Sequence, residues 1–328
     1  MKYLVTGATG FIGTELCRQI VQAGDELQAF SARGTPLPDG TPTRALDLGV
    51  EQPDSQVLAG VDAVVHLAGI AHRNAGMEEY RAINHRATVE LARAAATAGA
   101  RAFVFLSSVK AMGPAAAEEP GTGASLTVAS RTYASRTIAS RTELDCNVPG
   151  DPYSCSKRDA ELALVDEFSG AAMSVTILRP ALVYGTNARG NLALLSRAVD
   201  KGLPRPPADG GRSMIGREDL CQLIRLLASR DKPGVSTYIA ADGELYSTRR
   251  IYDALRSARA LGPGYGWCPR LGWRLGCGLL DLLSRSPEPA WERLFGVEKY
   301  SGQAVCEDLK WQPRQTLESA MHASGGVV

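Results

Sequence analysis

The segment that most constrains this chain is residues 6–13, Thr-Gly-Ala-Thr-Gly-Phe-Ile-Gly, with glycines at 7, 10 and 13. An apolar run, Lys2–Thr6, leads into it, and a helical pattern over residues 11–23 leads out. Strand, tight turn and helix in that order bring backbone N–H groups to the positive end of a helix dipole. Gly7 permits the turn, Gly10 lets backbone approach a diphosphate, and Gly13 allows helix and strand to pack closely. The chain is therefore expected to open with a dinucleotide-binding βαβ unit.

The alternation continues. Strands are predicted at residues 26–30, 43–46, 61–67, 102–107 and 174–178, and helices over 77–98 and 153–168. The run at 61–67, Val-Asp-Ala-Val-Val-His-Leu, is nearly all apolar, as a strand covered on both faces requires. The expected fold class is α/β, a Rossmann-type doubly wound parallel sheet with right-handed crossovers. A smaller, mostly helical C-terminal substrate lobe follows, because Gly and Pro cluster at 202–211 and 262–272 between helical stretches near 191–201, 217–230, 247–260 and 271–284. The expected boundaries are 1–185 for the NAD(P)-binding domain, 186–322 for the lobe and 323–328 for a flexible tail. The first domain carries an insert at about 115–147 and regains residues 213–241, with 236–240 as the returning strand. Within the insert, residues 128–142 repeat a five-residue unit ending in Ala-Ser-Arg-Thr three times. That composition predicts a surface loop; a basic lid built on Arg131, Arg136 and Arg141 is the alternative.

Composition narrows the function. Hydrophobic residues make up 45% and charged residues 22%, enough for a large core, while a net charge of +1 gives no general attraction to nucleic acid or anionic membrane. No nucleic-acid or membrane partner is expected. Seven cysteines are scattered without a C-x-x-C pair, which reads as reduced thiols, no metal and a cytoplasmic protein. The apolar stretch 271–283 carries Arg274 and Asp281 and is too short to span a bilayer, so an amphipathic or buried helix is expected.

The second predicted strand ends Phe30-Ser31-Ala32-Arg33, without the carboxylate that grips a ribose diol. Ser31 leaves room for a 2′-phosphate and Arg33 would pair with it, so NADP(H) is favoured and NAD(H) is the alternative. Asp47 and Leu48 follow the third strand, where they would hold the adenine edge. Leu67, Ala68 and Gly69 close the fourth, where small residues let a cofactor lie against backbone. Tyr153 and Lys157 stand one helical turn apart on one face. An ammonium beside a phenol, with an oxidised nicotinamide nearby, favours the phenolate. Ser108 ends the run Ala-Phe-Val-Phe-Leu-Ser-Ser at the carboxyl edge of the sheet, placed to hold a substrate oxygen while Tyr153 passes a proton.

These pieces, with Asp-Leu at 47–48, His-Leu-Ala-Gly at 66–69, Asn84, Ser-Ser-Val-Lys-Ala-Met-Gly at 107–113, Asp-Pro-Tyr-Ser-Cys-Ser-Lys at 151–157 and Leu-Arg-Pro-Ala-Leu-Val-Tyr-Gly at 178–185, stand in one order. In that order the chain resembles an extended short-chain dehydrogenase/reductase of the NAD-dependent epimerase/dehydratase family. The resemblance implies an NAD(P)-dependent enzyme acting on a nucleotide-linked sugar. It adds Thr9, Phe11, Ile12, Asn84 and Pro180 to the cofactor contacts. On the substrate side it adds Val109 and Lys110 beside Ser108, and Asn191 and Arg212 for the nucleotide diphosphate. Within the family the motifs are most similar to reductases of UDP-4-keto-6-deoxy-N-acetylhexosamines in O-antigen and other surface-polysaccharide synthesis. UDP-sugar 4-epimerases are the alternative; a non-nucleotide carbonyl reductase or a non-catalytic dinucleotide sensor stands further off. A homodimer is also implied. One departure stands out: Ser108 and Tyr153 are 45 positions apart (153 − 108), longer than the family pattern by about the length of the repeat.

Overall fold

Apolar runs flanked by turn residues become the strands of one parallel sheet, and the glycine turn joins the first of them to a helix. The computed structural model describes residues 1–51, 55–71, 75–115, 139–188, 190–266, 268–283 and 289–323. In chain order they form β1 (Lys2–Thr6), α1 (Phe11–Gln22), β2 (Glu26–Ser31), β3 (Arg44–Ala45), α2 (Ser55–Leu58) and β4 (Ala63–His66). Next come α3 (Met77–Tyr80), a π-turn (Arg81–Arg86), α4 (Ala87–Thr97), β5 (Ala102–Leu106), a 3-10 turn (Val109–Met112), α5 (Pro152–Phe168), β6 (Ser174–Pro180) and β7 (Leu182–Tyr184). The remainder is α6 (Asn191–Asp200), β8 (Gly211–Gly216), α7 (Arg217–Ala228), β9 (Gly234–Ala240), β10 (Leu245–Tyr246), α8 (Thr248–Ala258) and α9 (Arg270–Leu283). The last elements are α10 (Ala290–Phe295), β11 (Val297–Glu298), α11 (Gln303–Leu309) and α12 (Leu317–Ala323).

The main sheet runs β3-β2-β1-β4-β5-β6-β9, with every pairing parallel. Its order reverses at β1, so a crevice opens between the carboxyl ends of β1 and β4, where ligands bind in open α/β sheets. Residues 236–240 lie in β9, which pairs along its whole length with β6. Leu16, Cys17 and Ile20 of α1 and Leu220, Leu223, Ile224 and Leu227 of α7 cover one face of the sheet. Leu91, Ala92 and Ala95 of α4 and Ala160, Leu164 and Phe168 of α5 cover the other. Strands β7, β8, β10 and β11 form a second, small sheet, and a separate core around Tyr184, Met214, Tyr246, Tyr252 and Leu317 joins it to α6, α8 and α12. The repeat at 128–142 falls outside the described residues up to position 138, and so does the expected tail from 324 onward. Of the repeat's arginines, Arg141 is described, and its guanidinium donates to the carbonyls of Met112, Gly113 and Asp145.

The helix expected over 77–98 is instead α3, a π-turn and α4. The wide turn sits at Asn84, a fully buried residue whose Oδ1 accepts from Ile70 N at 2.8 Å while its Nδ2 donates to Ile70 O at 3.0 Å. Periodicity reports which faces are apolar; it carries no sign of one extra residue in a turn.

Helix α5 is fixed to the sheet by a buried ion pair. Asp151 caps its first turn, accepting from Ser154 N at 3.0 Å, and Pro152 follows at the position where a missing N–H costs nothing. Two turns beyond Tyr153, Glu161 takes a forked contact from Arg179 of β6, Nη2 to Oε2 at 2.7 Å and Nε to Oε1 at 2.9 Å. Ser107 Oγ donates to the same carboxylate at 2.6 Å. The two side chains are 4% and 2% exposed. Glu161→Leu, which leaves the guanidinium buried and unpaired, is expected to cost about 3–5 kcal/mol in urea unfolding, and adding Arg179→Met is expected to recover most of it.

Candidate active site

The turn after β1 is built around an absent side chain. Gly7 has φ +70°, and a Cβ there would lie 2.7 Å from Ala68 N and 2.9 Å from Leu67 C. A Cβ on Gly13 would stand 2.2 Å from Gly7 O. The ends of β1 and β4 therefore touch through backbone, at the place where the strand order reverses. Gly10 precedes α1 without a side-chain cap, and the first turn of α1 holds no acidic residue. Unclaimed N–H groups, an open dipole end and an exposed Thr9 fit a dinucleotide diphosphate. Phe11 and Ile12 are half-buried beside it.

At the end of β2, Ser31 is buried and donates to Thr43 Oγ1 at 2.8 Å, because Thr43 gives its own proton to Thr35 O at 2.7 Å. Arg33 is exposed and forms no ion pair among the described residues. Exposed Asp47 accepts from Gly49 N at 3.0 Å, and Leu48 is half-buried.

Behind the crevice lies a chain of polar groups that sequence reasoning missed. His66 is wholly buried, with Nδ1 2.7 Å from Thr6 Oγ1 and Nε2 3.0 Å from Thr88 Oγ1. Thr88 donates to Asn84 O at 2.9 Å, so its oxygen must accept from His66, which places the ring proton on Nε2. Nδ1 then accepts from Thr6, whose oxygen accepts in turn from Ala68 N at 3.4 Å. Asn84 donates on to Ser156 Oγ at 3.1 Å, and Ser156 donates to Tyr153 O at 2.7 Å. Asn84 thus supports Ile70, and its Oδ1 would lie 2.8 Å from a Cβ on Gly69. Its full burial places it behind the cofactor surface, not on it. The signal was present as paired polar residues, Thr6, His66 and Thr88, inside otherwise apolar elements.

Tyr153 and Lys157 share a face of α5, as their spacing requires. Lys157 is buried, its Nζ donates to Leu106 O at 2.9 Å, and it lies 4.6 Å from the centroid of the Phe105 ring. A Cβ on Gly69 would be 3.4 Å from that Nζ, so the ammonium reaches the cofactor side of the crevice. Burial pulls its pKa down to about 8, against the opposing charge of Glu161. Tyr153 moves the other way: burial pushes the phenol up to about 12, partly offset by the nearby Ser108 hydroxyl. Asp151 and Tyr80 add to the rise, and the Tyr80 ring meets it edge-on at 6.1 Å. Lys157 directs its proton to a carbonyl, and the apolar wall keeps Tyr153 in the acid form.

Ser108 is half-buried, extended at φ −162°, and accepts from Lys110 N at 3.2 Å to cap the short turn after β5. Val109 is buried, Lys110 exposed, and Pro180 buried at the end of β6. Asn191 is exposed at the start of α6, and half-buried Arg212 of β8 donates to Arg293 O at 2.6 Å. No described contact brings Asn191 or Arg212 to Ser108 and Tyr153. A cavity of about 250 Å³, lined by Ser213, Asp242, Lys299, Tyr300 and Gln303 among others, lies beside β8 and includes none of the three catalytic candidates.

With this geometry in hand, comparison with known proteins is decisive at the level of family. The NAD dependent epimerase/dehydratase family matches residues 3–230. A UDP-glucose 4-epimerase of Vibrio cholerae is 30% identical over 96% of this chain and 92% of its own length. The chain belongs to the NAD dependent epimerase/dehydratase family. A 2-alkyl-3-oxoalkanoate reductase of Stenotrophomonas maltophilia is 26% identical over 98% of this chain and 97% of its own. Among solved structures, MoeE5 in complex with UDP-glucose and NAD superposes with a TM-score of 0.73 at 23% identity, covering 99% of this chain and 97% of that one. The UDP-glucose 4-epimerase of Thermus thermophilus in complex with NAD gives 0.69 at 20% identity, covering 99% and 98%. As a member of this family the chain is an extended short-chain dehydrogenase/reductase. No helix among its described residues is long and apolar enough to cross a membrane.

Burial drives the pKa of His66 down to about 3. Between there and the ordinary imidazole range the unfolded chain binds a proton that the folded chain refuses, so this group makes stability fall as pH drops through that window. His66→Gln is expected to flatten the unfolding free energy between about pH 6 and 4 by up to about 1.4 kcal/mol per pH unit. Parallel slopes in the two proteins by chemical denaturation would count against a neutral buried ring.

Proposed function

We propose that this enzyme reduces the C4 ketone of a UDP-linked sugar, a UDP-4-keto-6-deoxy-N-acetylhexosamine, in surface-polysaccharide synthesis. The observation that carries the reading is the Ser108–Tyr153 pair. Ser108, at the carboxyl edge of the sheet, lies close enough to the Tyr153 phenol to act on its pKa, and burial favours the protonated phenol, the state a proton donor to a developing alkoxide needs. When bound, a nicotinamide dinucleotide supplies the hydride. Gly7, Gly10 and Gly13 seat its diphosphate; Leu67, Ala68 and Gly69 line its path; Lys157 reaches the ribose. Ser108 holds the substrate oxygen, and Tyr153 gives it a proton. Asn191 and Arg212 bind the nucleotide diphosphate from the lobe, with Val109 and Lys110 beside the sugar. A homodimer through α5, whose Leu162 and Val165 are exposed, completes the reading.

A second reading, a UDP-sugar 4-epimerase, is favoured by two relatives that are UDP-glucose 4-epimerases, the one from Vibrio cholerae and one from Neisseria gonorrhoeae at 25% identity. Stoichiometry separates the two. A reductase consumes one reduced dinucleotide per product, and conversion without net consumption establishes the epimerase. For either, Tyr153→Phe is expected to lower kcat by about 10²–10⁴ while leaving dinucleotide affinity within about twofold; unchanged turnover removes the catalytic assignment.

We read the preferred dinucleotide as NADP(H), from exposed Arg33 and the missing carboxylate after β2. NADPH is expected to bind more tightly than NADH, and Arg33→Ala to shrink that preference by about tenfold. Tighter NADH binding by the unaltered chain overturns the assignment and leaves NAD(H).

A further inference from the structure

The last copy of the repeat, Ala-Ser-Arg-Thr at 139–142, is held by both its backbone and its arginine side chain. Arg141 forms a parallel bridge with Tyr300, its N–H donating to Lys299 O at 2.9 Å and its carbonyl accepting from Ser301 N at 2.8 Å. Its guanidinium lies 5.7 Å from the centroid of the buried Tyr300 ring. From there it forks onto the turn after β5: Nη1 donates to Gly113 O at 2.8 Å, and Nη2 to Met112 O at 2.9 Å. The residues that follow are rooted in the main sheet. Glu143 Oε1 accepts from Ile239 N at 2.9 Å, and Glu143 O accepts from Arg179 Nη1 at 3.0 Å. Tyr300 is tied in turn to β8, its N–H donating to Ser213 Oγ at 2.9 Å while that hydroxyl donates to Tyr300 O at 3.2 Å.

We infer that Arg141 is a positioning residue that fixes where Ser108 stands relative to β8, the strand carrying Arg212. The inference rests on the reading of Ser108 as the holder of the substrate oxygen. The turn after β5 starts at Ser108, whose Oγ accepts from Lys110 N at 3.2 Å and whose carbonyl accepts from Ala111 N at 3.0 Å. It ends at Gly113, whose N–H donates to Lys110 O at 3.1 Å. One end of this turn is continuous with β5, and the other is pinned by Arg141. Held at both ends, it cannot slide along the edge of the sheet. Asn147 N also reaches Met112 O, at 2.7 Å, so the guanidinium adds the second tie, at Gly113 O. Adjacent carbonyls at a turn end suit the planar fork of a guanidinium, and an ammonium offers no such fork. The long connection between Ser108 and Tyr153 costs little entropy to close, but its length specifies nothing about where the chain re-enters. The bridge at Arg141 specifies it. A continuous path of contacts then runs from the Ser108 turn through Arg141 and Tyr300 to Ser213, the neighbour of Arg212.

The test pairs turnover with amide hydrogen exchange in the full chain. The substrates are a UDP-4-keto-6-deoxy-N-acetylhexosamine with reduced dinucleotide, and UDP-glucose for the epimerase reading. Arg141→Ala is expected to lower kcat by about 10-fold to 100-fold, with KM and dinucleotide affinity within about threefold. In the Ser108→Ala background the same substitution is expected to change kcat by less than about threefold, because the hydroxyl it acts through is already gone. Free guanidinium, far below the concentrations that unfold proteins, is expected to restore part of the loss in Arg141→Ala. Arg141→Lys keeps the charge and loses the fork; it is expected to show the same deficit, and it carries the test if the alanine variant does not fold. A loss of equal size in both backgrounds marks a general weakening of the fold and overturns the inference. The amides of Lys110, Ala111 and Gly113 are expected to exchange at least about tenfold faster in Arg141→Ala, with those of α5 unchanged. Turnover of neither substrate by the unaltered chain removes the reading of the reaction, and exchange then decides the inference alone: unchanged rates at the three amides overturn it.

Discussion

The contact on which the rest of this structure depends is backbone against backbone, Gly7 at the end of β1 meeting Leu67 and Ala68 at the end of β4. Any side chain at Gly7 would drive the two strands apart at the point where the sheet reverses direction. Because they stay together, the first turn of α1 points its N–H groups into a shallow crevice, and the loop after β4 forms the opposite wall. Lys157 enters from α5 and its Nζ ends beside Gly69, so the spacing across the crevice follows from a distance set by a missing methyl group.

Much of the fold was legible because it rests on period and punctuation. The run at 61–67 announced a strand buried on both faces, trimmed in the structure to Ala63–His66 by the turn residues on either side. The return of residues 236–240 beside β6 could be read from a lone apolar run after a helical stretch. The positions of Tyr153 and Lys157 were legible for the simplest reason, a helix with a cap at Asp151 and a spacing of one turn. Their protonation states were not. These depend on which walls enclose each group, and walls come from distant parts of the chain: Phe105 and Leu106 around Lys157, Tyr80 around Tyr153. The π-turn at Asn84 stayed hidden for a related reason, since it serves the backbone of Ile70, fourteen positions away.

Two connected groups of buried polar residues meet helix α5. One runs from Ala68 through Thr6, His66 and Thr88 to Asn84 and on to Ser156, tying the loop after β4 to the start of α5. The other joins Ser107, Glu161 and Arg179, tying the middle of that helix to two strands. Glu161 stands one turn beyond Lys157 and acts on its charge as well as on the position of the helix. Helix α5 is thus held at two heights by networks whose members are nearly all satisfied, the condition under which buried polar groups rigidify a core.

The order of the small strands has a consequence for how the chain must be assembled. After β6 the polypeptide leaves for β7, α6 and β8, and only then returns through α7 to lay β9 against β6. A ribosome-bound chain that has emerged as far as Tyr184 already carries the glycine turn and α5, yet one side of β6 still presents a row of unpaired backbone groups. Until β9 arrives, that edge can accept any passing strand. The two parts of the molecule are therefore interleaved in synthesis, and the main sheet is complete only after β7 and β8 of the small sheet have been made.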